Sequence, residues 1–100
     1  MSQRRRNRAP ARRQAHAHVF AALGDPTRLS LVAKLCGGPP RSISKLTEDT
    51  RLSRQAVTKH LRVLERARVV HGTRCGRENR FAFNPEPVED IKKYLDLVSA

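Results

Sequence analysis

The feature that most constrains this chain is a pair of short helices predicted in close succession near its middle. The first covers residues 42–49, and only residues 50–52 separate it from the second. Ser53 stands at the N-cap position of the second helix, where its hydroxyl can accept a hydrogen bond from a first-turn N–H. The second helix runs to about Ala67. Two helices joined by so tight a turn predict a helix-turn-helix unit, which places its second helix in the major groove of DNA.

The second helix, which we call the recognition helix, has a polar and an apolar side. At about 100° per residue, its polar side chains occupy an arc of about 140°, opposite Val57, Leu61 and Leu64. Arginine pairs with guanine through two hydrogen bonds, glutamine pairs with adenine in the same way, and threonine contacts the methyl group of thymine. The predicted base-reading residues are Arg54, Gln55, Thr58 and Lys59, and Ser53 and Arg62 are predicted to hold the phosphate backbone.

The segment after the recognition helix predicts a β-hairpin, which we call the wing. Its strands cover residues 69–74 and 80–83, and a loop over residues 75–79 contains a glycine. A cationic hairpin beside a recognition helix can hold phosphates or place an arginine in the minor groove. The predicted contacts from the wing are Arg74, Arg77 and Arg80.

Three further helices complete the expected fold. The first begins near Gln14 and stops at Gly24. The second has Asp25 as its N-cap and Pro26 at its first position, where the missing N–H costs nothing. The last follows the Pro-containing segment 84–87 and carries an apolar stripe over residues 88–98. The predicted fold class is therefore α+β and mostly helical: a winged helix-turn-helix of about five helices and a two-stranded hairpin.

The helix capped by Asp25 also predicts part of the core. Leu29, Val32, Ala33 and Cys36 recur at helical spacing, and Leu31 and Leu35 form a second apolar side. Because a buried cysteine is usually a small core residue, we expect Cys36 to lie in the core.

The charge of the chain points to a polyanionic partner. The net charge is +12, and residues 1–13 carry six arginines and no acid. This segment is predicted to be a disordered arm that adds nonspecific affinity for DNA through Arg4–Arg13, with the folded domain covering residues 14–100. The chain lacks the apolar stretch of a signal peptide or a membrane span, which predicts a cytoplasmic protein with no membrane partner. No phosphate loop, nucleophile elbow or paired carboxylates indicate an enzyme.

Two segments carry a family resemblance. Residues 19–29, with the sequence VFAALGDPTRL, resemble the opening of the ArsR (arsenic-repressor-like) winged-helix regulators. Residues 52–65, with the sequence LSRQAVTKHLRVLE, resemble the recognition helix of that family. The resemblance covers about residues 16–98. It implies a homodimer joined through the first and last helices, which binds a palindromic operator in double-stranded DNA and represses transcription.

The chain departs from the family pattern at several positions. Metal-sensing members often carry a Cys-x-Cys pair before the recognition helix, whereas residues 42–47 hold no thiol. Others use Asp and His on the last helix; Asp90 and Asp96 are present, but no histidine follows His71. We therefore predict no metal site and no cofactor. Arg51 and Arg68 occupy turn positions where the family usually has glycine, so either the local backbone differs or added phosphate contacts compensate.

The sequence thus predicts a sequence-specific transcriptional regulator and leaves two alternatives open. One is a sensor repressor that a redox signal or ligand switches through Cys75, which lies between Arg74 and Arg77, or through the dimer interface. The other is a basic protein that binds nucleic acids without sequence preference.

Overall fold

A computed structural model describes residues 8–100 of the chain. It confirms the predicted winged helix-turn-helix of five helices and a hairpin, and it adds a short third strand. In chain order the elements are α1 (Arg8–Leu23), α2 (Pro26–Leu35), β1 (Arg41–Ser42), α3 (Ile43–Glu48), α4 (Arg54–Arg66), β2 (Val70–Cys75), β3 (Glu78–Phe83) and α5 (Pro85–Ser99). No helix within residues 8–100 is both long and apolar enough to cross a bilayer.

One apolar core lies between the helices and the base of the wing. The recognition helix α4 contributes three fully buried side chains to it, and the first strand of the wing contributes one. Because α4 is fixed along this side, its opposite side must face solvent. The buried core residues are Val19, Ala22, Leu31, Leu35, Leu46, Val57, Leu61, Leu64, Val69, Val70, Phe81 and Ile91.

Three helices begin where their capping side chains predict. Asp25, Ser42 and Ser53 have extended backbone conformations just before α2, α3 and α4. Each side-chain oxygen accepts a hydrogen bond from the backbone N–H three residues later, at 3.0–3.1 Å. These caps satisfy N–H groups that have no partner inside the helix. The donors are Arg28, Lys45 and Ala56.

Helix α1 begins at Arg8, earlier than the predicted start near Gln14. Residues 8–13, predicted to belong to a disordered arm, are therefore helical. Alanine and arginine favour helices, and Pro10 lies in the first turn, where no backbone donor is needed. Residues 1–7 of the predicted arm lie outside the described residues.

The core face of α2 differs from the predicted one. Leu31 and Leu35 are buried, whereas Leu29 is 52% exposed. Cys36 is also exposed, so its predicted place in the core is wrong. The physical reason is that Cys36 is the C-cap of α2, with an extended backbone that leaves the helix before the stripe is complete.

The wing belongs to a three-stranded antiparallel sheet with the order β1-β3-β2. Cys75 pairs with Glu78, so the predicted loop over residues 75–79 contracts to a two-residue turn. Gly76 occupies the first turn position with φ +62°, a conformation that glycine adopts without strain. Strand β1, which pairs Arg41 with Phe81, was not predicted, because two residues are too few to show an alternating pattern.

Helix α4 ends in a motif that normally calls for glycine. The N–H of Arg68 donates to the carbonyl of Glu65 at 2.9 Å, and the N–H of Val69 donates to the carbonyl of Leu64 at 3.0 Å. This pair of bonds defines a Schellman cap. Arg68 therefore has φ 63°, whereas Arg51, the other residue at a usual glycine position, does not have a positive φ. The left-handed conformation of a non-glycine residue costs about 1–2 kcal/mol.

Candidate nucleic-acid interface

The exposed side of α4 brings the predicted base-reading residues together. Arg54, Gln55 and Lys59 are exposed, and Thr58 is half-buried among them. They lie in the first two turns, immediately after the exposed cap Ser53. Val57, Leu61 and Leu64 anchor the opposite side of the helix in the core. The core therefore holds α4 in one orientation. An α-helix fits into the major groove of DNA, so the exposed polar side of α4 can reach the base edges there.

Two of these side chains are already oriented by local hydrogen bonds. The Arg54 Nη1 donates to the hydroxyl of Ser44 on α3 at 2.9 Å. The Thr58 hydroxyl donates to the backbone carbonyl of Arg54 at 2.8 Å, which uses its proton inside the helix. The threonine is therefore better suited to contact a thymine methyl than to donate to a base. Sequence analysis missed Ser44, whose contact could be found only once α3 was packed beside α4.

Arg62, one turn further along, is held by an ion pair. Its Nη1 lies 3.6 Å from the Oε1 of Glu65. Both side chains are more than one-third exposed, so the pair is weak and can exchange for a phosphate contact. Its place beyond the base-reading turns is compatible with the predicted backbone role.

The turn between α3 and α4 is fixed by one threonine. The Thr50 hydroxyl donates to the carbonyl of Thr47 at 3.1 Å and accepts a bond from the N–H of Leu52 at 3.2 Å. These bonds hold the chain as it changes direction, and Leu52 packs against the core. The predicted helix-turn-helix unit therefore has a defined angle between its helices.

The wing arginines are all exposed but do not share one face. Arg74 pairs with Asn79 and Arg80 pairs with Thr73 across the strands, so Arg74 and Arg80 point to opposite faces. The Arg74 Nε donates to the carbonyl of Gly76 at 3.2 Å, and the Arg80 Nε donates to Glu78 at 3.2 Å. Arg77 lies in the turn at the tip. The wing thus presents positive charge on both faces and at its tip.

Arg28 joins three helices behind the interface, a role that sequence analysis missed. Its guanidinium donates to the carbonyls of Ala22 at 2.6 Å and Ala21 at 3.4 Å, at the end of α1. Its Nη1 also lies 3.2 Å from the Nδ1 of His60 on α4. Because a guanidinium can only donate, the Nδ1 accepts and the ring proton is on Nε2. His60 thus positions α4 and does not face the proposed DNA surface.

Asp25 belongs to the same cluster. Its carboxylate accepts from the backbone N–H of Arg28 and lies 3.9 Å from the Nδ1 of His60. The pKa of Asp25 is lowered chiefly by that backbone hydrogen bond, and the charge of Arg28 acts in the same direction. Within residues 8–100, no group of three or more His, Cys, Asp or Glu side chains is arranged to hold a metal ion.

Comparisons with known proteins agree with this geometry. Residues 23–73, which include the helix-turn-helix unit, match a family model described as a helix-turn-helix domain. The HTH-type transcriptional regulator YuzN of Bacillus subtilis is 36% identical, over 75% of this chain and 88% of the relative. An ArsR-like transcriptional regulator from Rhodococcus sp. RHA1 superposes with a TM-score of 0.77 at 32% identity, covering 86% of this chain and 80% of that one. The chain belongs to the ArsR family of winged helix-turn-helix transcriptional regulators.

A transcriptional repressor and a homodimeric DNA-binding domain are also similar to this chain. The transcriptional repressor SdpR of Bacillus subtilis is 29% identical over 78% of this chain and 86% of the relative. A winged helix-turn-helix DNA-binding domain from Mycobacterium bovis, which is homodimeric, has a TM-score of 0.75 at 22% identity and covers 93% of this chain and 85% of that one. At that identity the second match shows the fold alone. As an ArsR-family member, the present chain is a DNA-binding transcriptional regulator.

Proposed function

We propose that this ArsR-family regulator is a homodimeric repressor that binds a palindromic operator through α4 and the wing. The observation that carries the proposal is the exposed polar edge of α4, held outward by three buried side chains on its other side. The relative SdpR is a repressor, which supports repression as the outcome of binding. Because its partner is DNA, we place the action of the protein in the cytoplasm.

The contacts divide by chemistry. Side chains that can form two hydrogen bonds, or contact a methyl group, lie on the first two turns of α4 and read bases. Cations on the wing and later on α4 neutralise phosphates, which strengthens binding to every sequence. We assign base reading to Arg54, Gln55, Thr58 and Lys59, and backbone contacts to Ser53, Arg62, Arg74, Arg77 and Arg80.

Dimerisation accounts for the apolar side chains of α1 and α5 that are exposed on a single chain. Phe20 on α1 is 37% exposed, and Leu97 and Val98 on α5 are 77% and 62% exposed. The two helices are joined by Tyr94, whose ring lies 5.3 Å from the ring of His16 and 6.4 Å from that of Phe20. We propose that a second copy covers the α1–α5 surface, as expected for a closed two-fold dimer. The homodimeric relative from Mycobacterium bovis supports this assembly.

The test is selection of sheared genomic DNA on the purified protein at near-physiological salt, followed by footprinting. We expect a few enriched fragments that share an inverted repeat, with half-site centres about one helical turn, or 34–36 Å, apart. Equal recovery of all fragments, with a steep salt dependence but no specificity ratio, would instead favour the nonspecific alternative.

One structural observation favours the redox alternative. Cys75 is exposed at the end of β2, directly before the turn of the wing. An oxidised thiol at this point would alter a segment proposed to contact DNA. The alternative stays a prediction, and it is tested by comparing operator affinity for reduced and oxidised protein, with Cys75→Ser as the control.

A further inference from the structure

One cleft formed by the described residues has no role in the function proposed above. It has a volume of about 760 Å³ and lies between α1, the end of α4 and the first half of α5. This volume is within the range of about 300–1,000 Å³ that small-molecule sites occupy.

The walls of the cleft are predominantly cationic. Arg12, Arg66, Arg68 and Lys93 face two carboxylates, Glu86 and Asp90. The ion pairs found among residues 8–100 lie outside the cleft, so these cations are not neutralised by the two acids at short range. The four cationic residues are exposed, and positive charge that lines a concave surface attracts anions more strongly than the same charge on a flat one.

His16, His18 and Asn84 add polar groups, and the remaining walls are apolar. Ala15 and Val19 line the cleft from α1, Ala67 from the end of α4 and Pro87 from α5. A ligand that fits both kinds of wall has an anionic group and an apolar body.

Arg68 gives a second reason to examine this cleft. It holds a left-handed conformation, φ 63°, at a position that glycine would occupy without strain. Strained residues persist at sites where their side chains have a function. Arg68 lines the cleft, so a role there accounts for arginine at this position.

The cleft borders the proposed dimer surface, with which it shares His16, and extends beyond it along α1 and α5. Its residues on α5 end at Lys93, whereas the exposed apolar residues of α5 begin at Leu95. On α1 it extends from Arg12 to Val19 and does not include Phe20. A second copy seated on the apolar residues therefore leaves the cationic walls without an assigned partner.

We propose that this cleft binds a small organic anion, a carboxylate or phosphate ester with an apolar body, through Arg68, Arg66, Arg12 and Lys93. The proposal does not depend on DNA recognition by α4. It assigns a ligand site that the family membership does not supply.

The test is NMR titration of the ¹⁵N-labelled full-length chain, without DNA, using phenyl phosphate as the probe. Inorganic phosphate supplies the charged group alone, and benzyl alcohol supplies the ring alone. We expect saturable shifts at the amides of Ala67, Asn84 and Asp90 with phenyl phosphate and at least about tenfold weaker binding of either control. The loss of one charge-assisted hydrogen bond has about that effect.

Arg68→Gly is the decisive variant, because removing the side chain also relieves backbone strain and does not threaten folding. We expect it to weaken phenyl phosphate binding at least about tenfold. Lys93→Ala should also weaken binding, whereas Lys92→Ala, an exposed neighbour outside the cleft, should change it less than about twofold.

Three results would overturn the proposal. Shifts that map to α4 and the wing, with equal affinity for inorganic phosphate, would show general ion association. Equal effects of Lys92→Ala and Arg68→Gly would show that only net charge matters. A loss of affinity of Arg68→Gly for random duplex DNA as large as that of Arg77→Ala would assign Arg68 to the DNA backbone instead.

Discussion

The recognition helix and the wing both carry proposed DNA contacts, but they rest on different supports. In α4, Val57, Leu61 and Leu64 are fully buried beneath the polar edge. In the wing, the buried residues Val69, Val70 and Phe81 lie at its base, and every residue from 71 to 80 is exposed. The helix is therefore held in one orientation by the core, while the outer wing is held only by its strand pairing. Fixed geometry suits base reading, and an adaptable segment suits phosphates, which require charge more than an exact direction.

The largest expected effect comes from removing the support of α4. Leu61→Ala should lower the free energy of unfolding by about 2–5 kcal/mol, because it leaves a cavity under the helix. Thr73→Ala, on the exposed wing, should change it by about 0.5 kcal/mol or less. Denaturant unfolding at one fixed protein concentration measures both, since dimerisation contributes to apparent stability. Equal losses would contradict the proposed difference in support.

The next effect separates the two kinds of DNA contact. Gln55→Ala should cost about 1–3 kcal/mol on the selected operator and relax base preference at one position. Arg77→Ala should weaken operator and random duplex similarly and reduce the salt slope by about 1. Fluorescence anisotropy at several salt concentrations distinguishes these patterns. Identical behaviour of the two variants would remove the division between base reading and backbone contact.

A substitution at Gly72 tests the packing between the wing and α4. A Cβ at this position would lie 3.1 Å from the Phe81 ring and 3.2 Å from the Glu65 carboxylate. Gly72→Ala should therefore destabilise the fold by about 1–3 kcal/mol through overpacking. Gly38→Ala is the matched control, because its nearest neighbours would lie 3.9 Å away. Unfolding midpoints measure both variants, and no difference between them would mean that Phe81 and Glu65 move aside without a cost in stability.

The smallest expected effect is a gain in stability. Arg68→Gly should raise the free energy of unfolding by about 1 kcal/mol, because glycine adopts the left-handed cap of α4 without strain. Arg66→Gly, inside the last turn of the same helix, should lower it by about 0.5–1 kcal/mol. Thermal or denaturant unfolding compares the two. A loss of stability in both would show that the Arg68 side chain stabilises the fold by more than its backbone costs.

The parts of the fold that sequence analysis predicted correctly are those set by local chemistry. Asp25 and Ser53, which were predicted as N-caps, each supply a side-chain oxygen to the first turn of a helix, so these helix starts can be predicted from single residues. The start of α1 was predicted too late, because Pro10 and the arginines around it resemble a disordered arm. Helix propensity and a proline in the first turn both permit a helix here, but residues 8–13 carry no stripe of large apolar side chains that would mark one.

The candidate site likewise has features that the local sequence predicts and features that it does not. The polar edge of α4 could be predicted from residue spacing alone, since a helix that buries Val57 and Leu61 must expose Arg54 and Gln55. The contact of Arg54 with Ser44 and the link from Arg28 to His60 could not. The second of these joins residues that are 32 positions apart, so it exists only after the helices have packed.

The sequence by itself therefore determined the order of the elements, the caps and the chemistry of the DNA-facing edge, because each depends on residues within a turn or two of one another. The tertiary structure decided which side of α2 is buried, the pairing of Arg41 with Phe81 and the cationic cleft lined by Arg68. These features depend on residues from distant segments that meet only after the chain has folded. Packing buries one of the two apolar faces of α2, and it brings charged residues of α1, α4 and α5 close together at the surface.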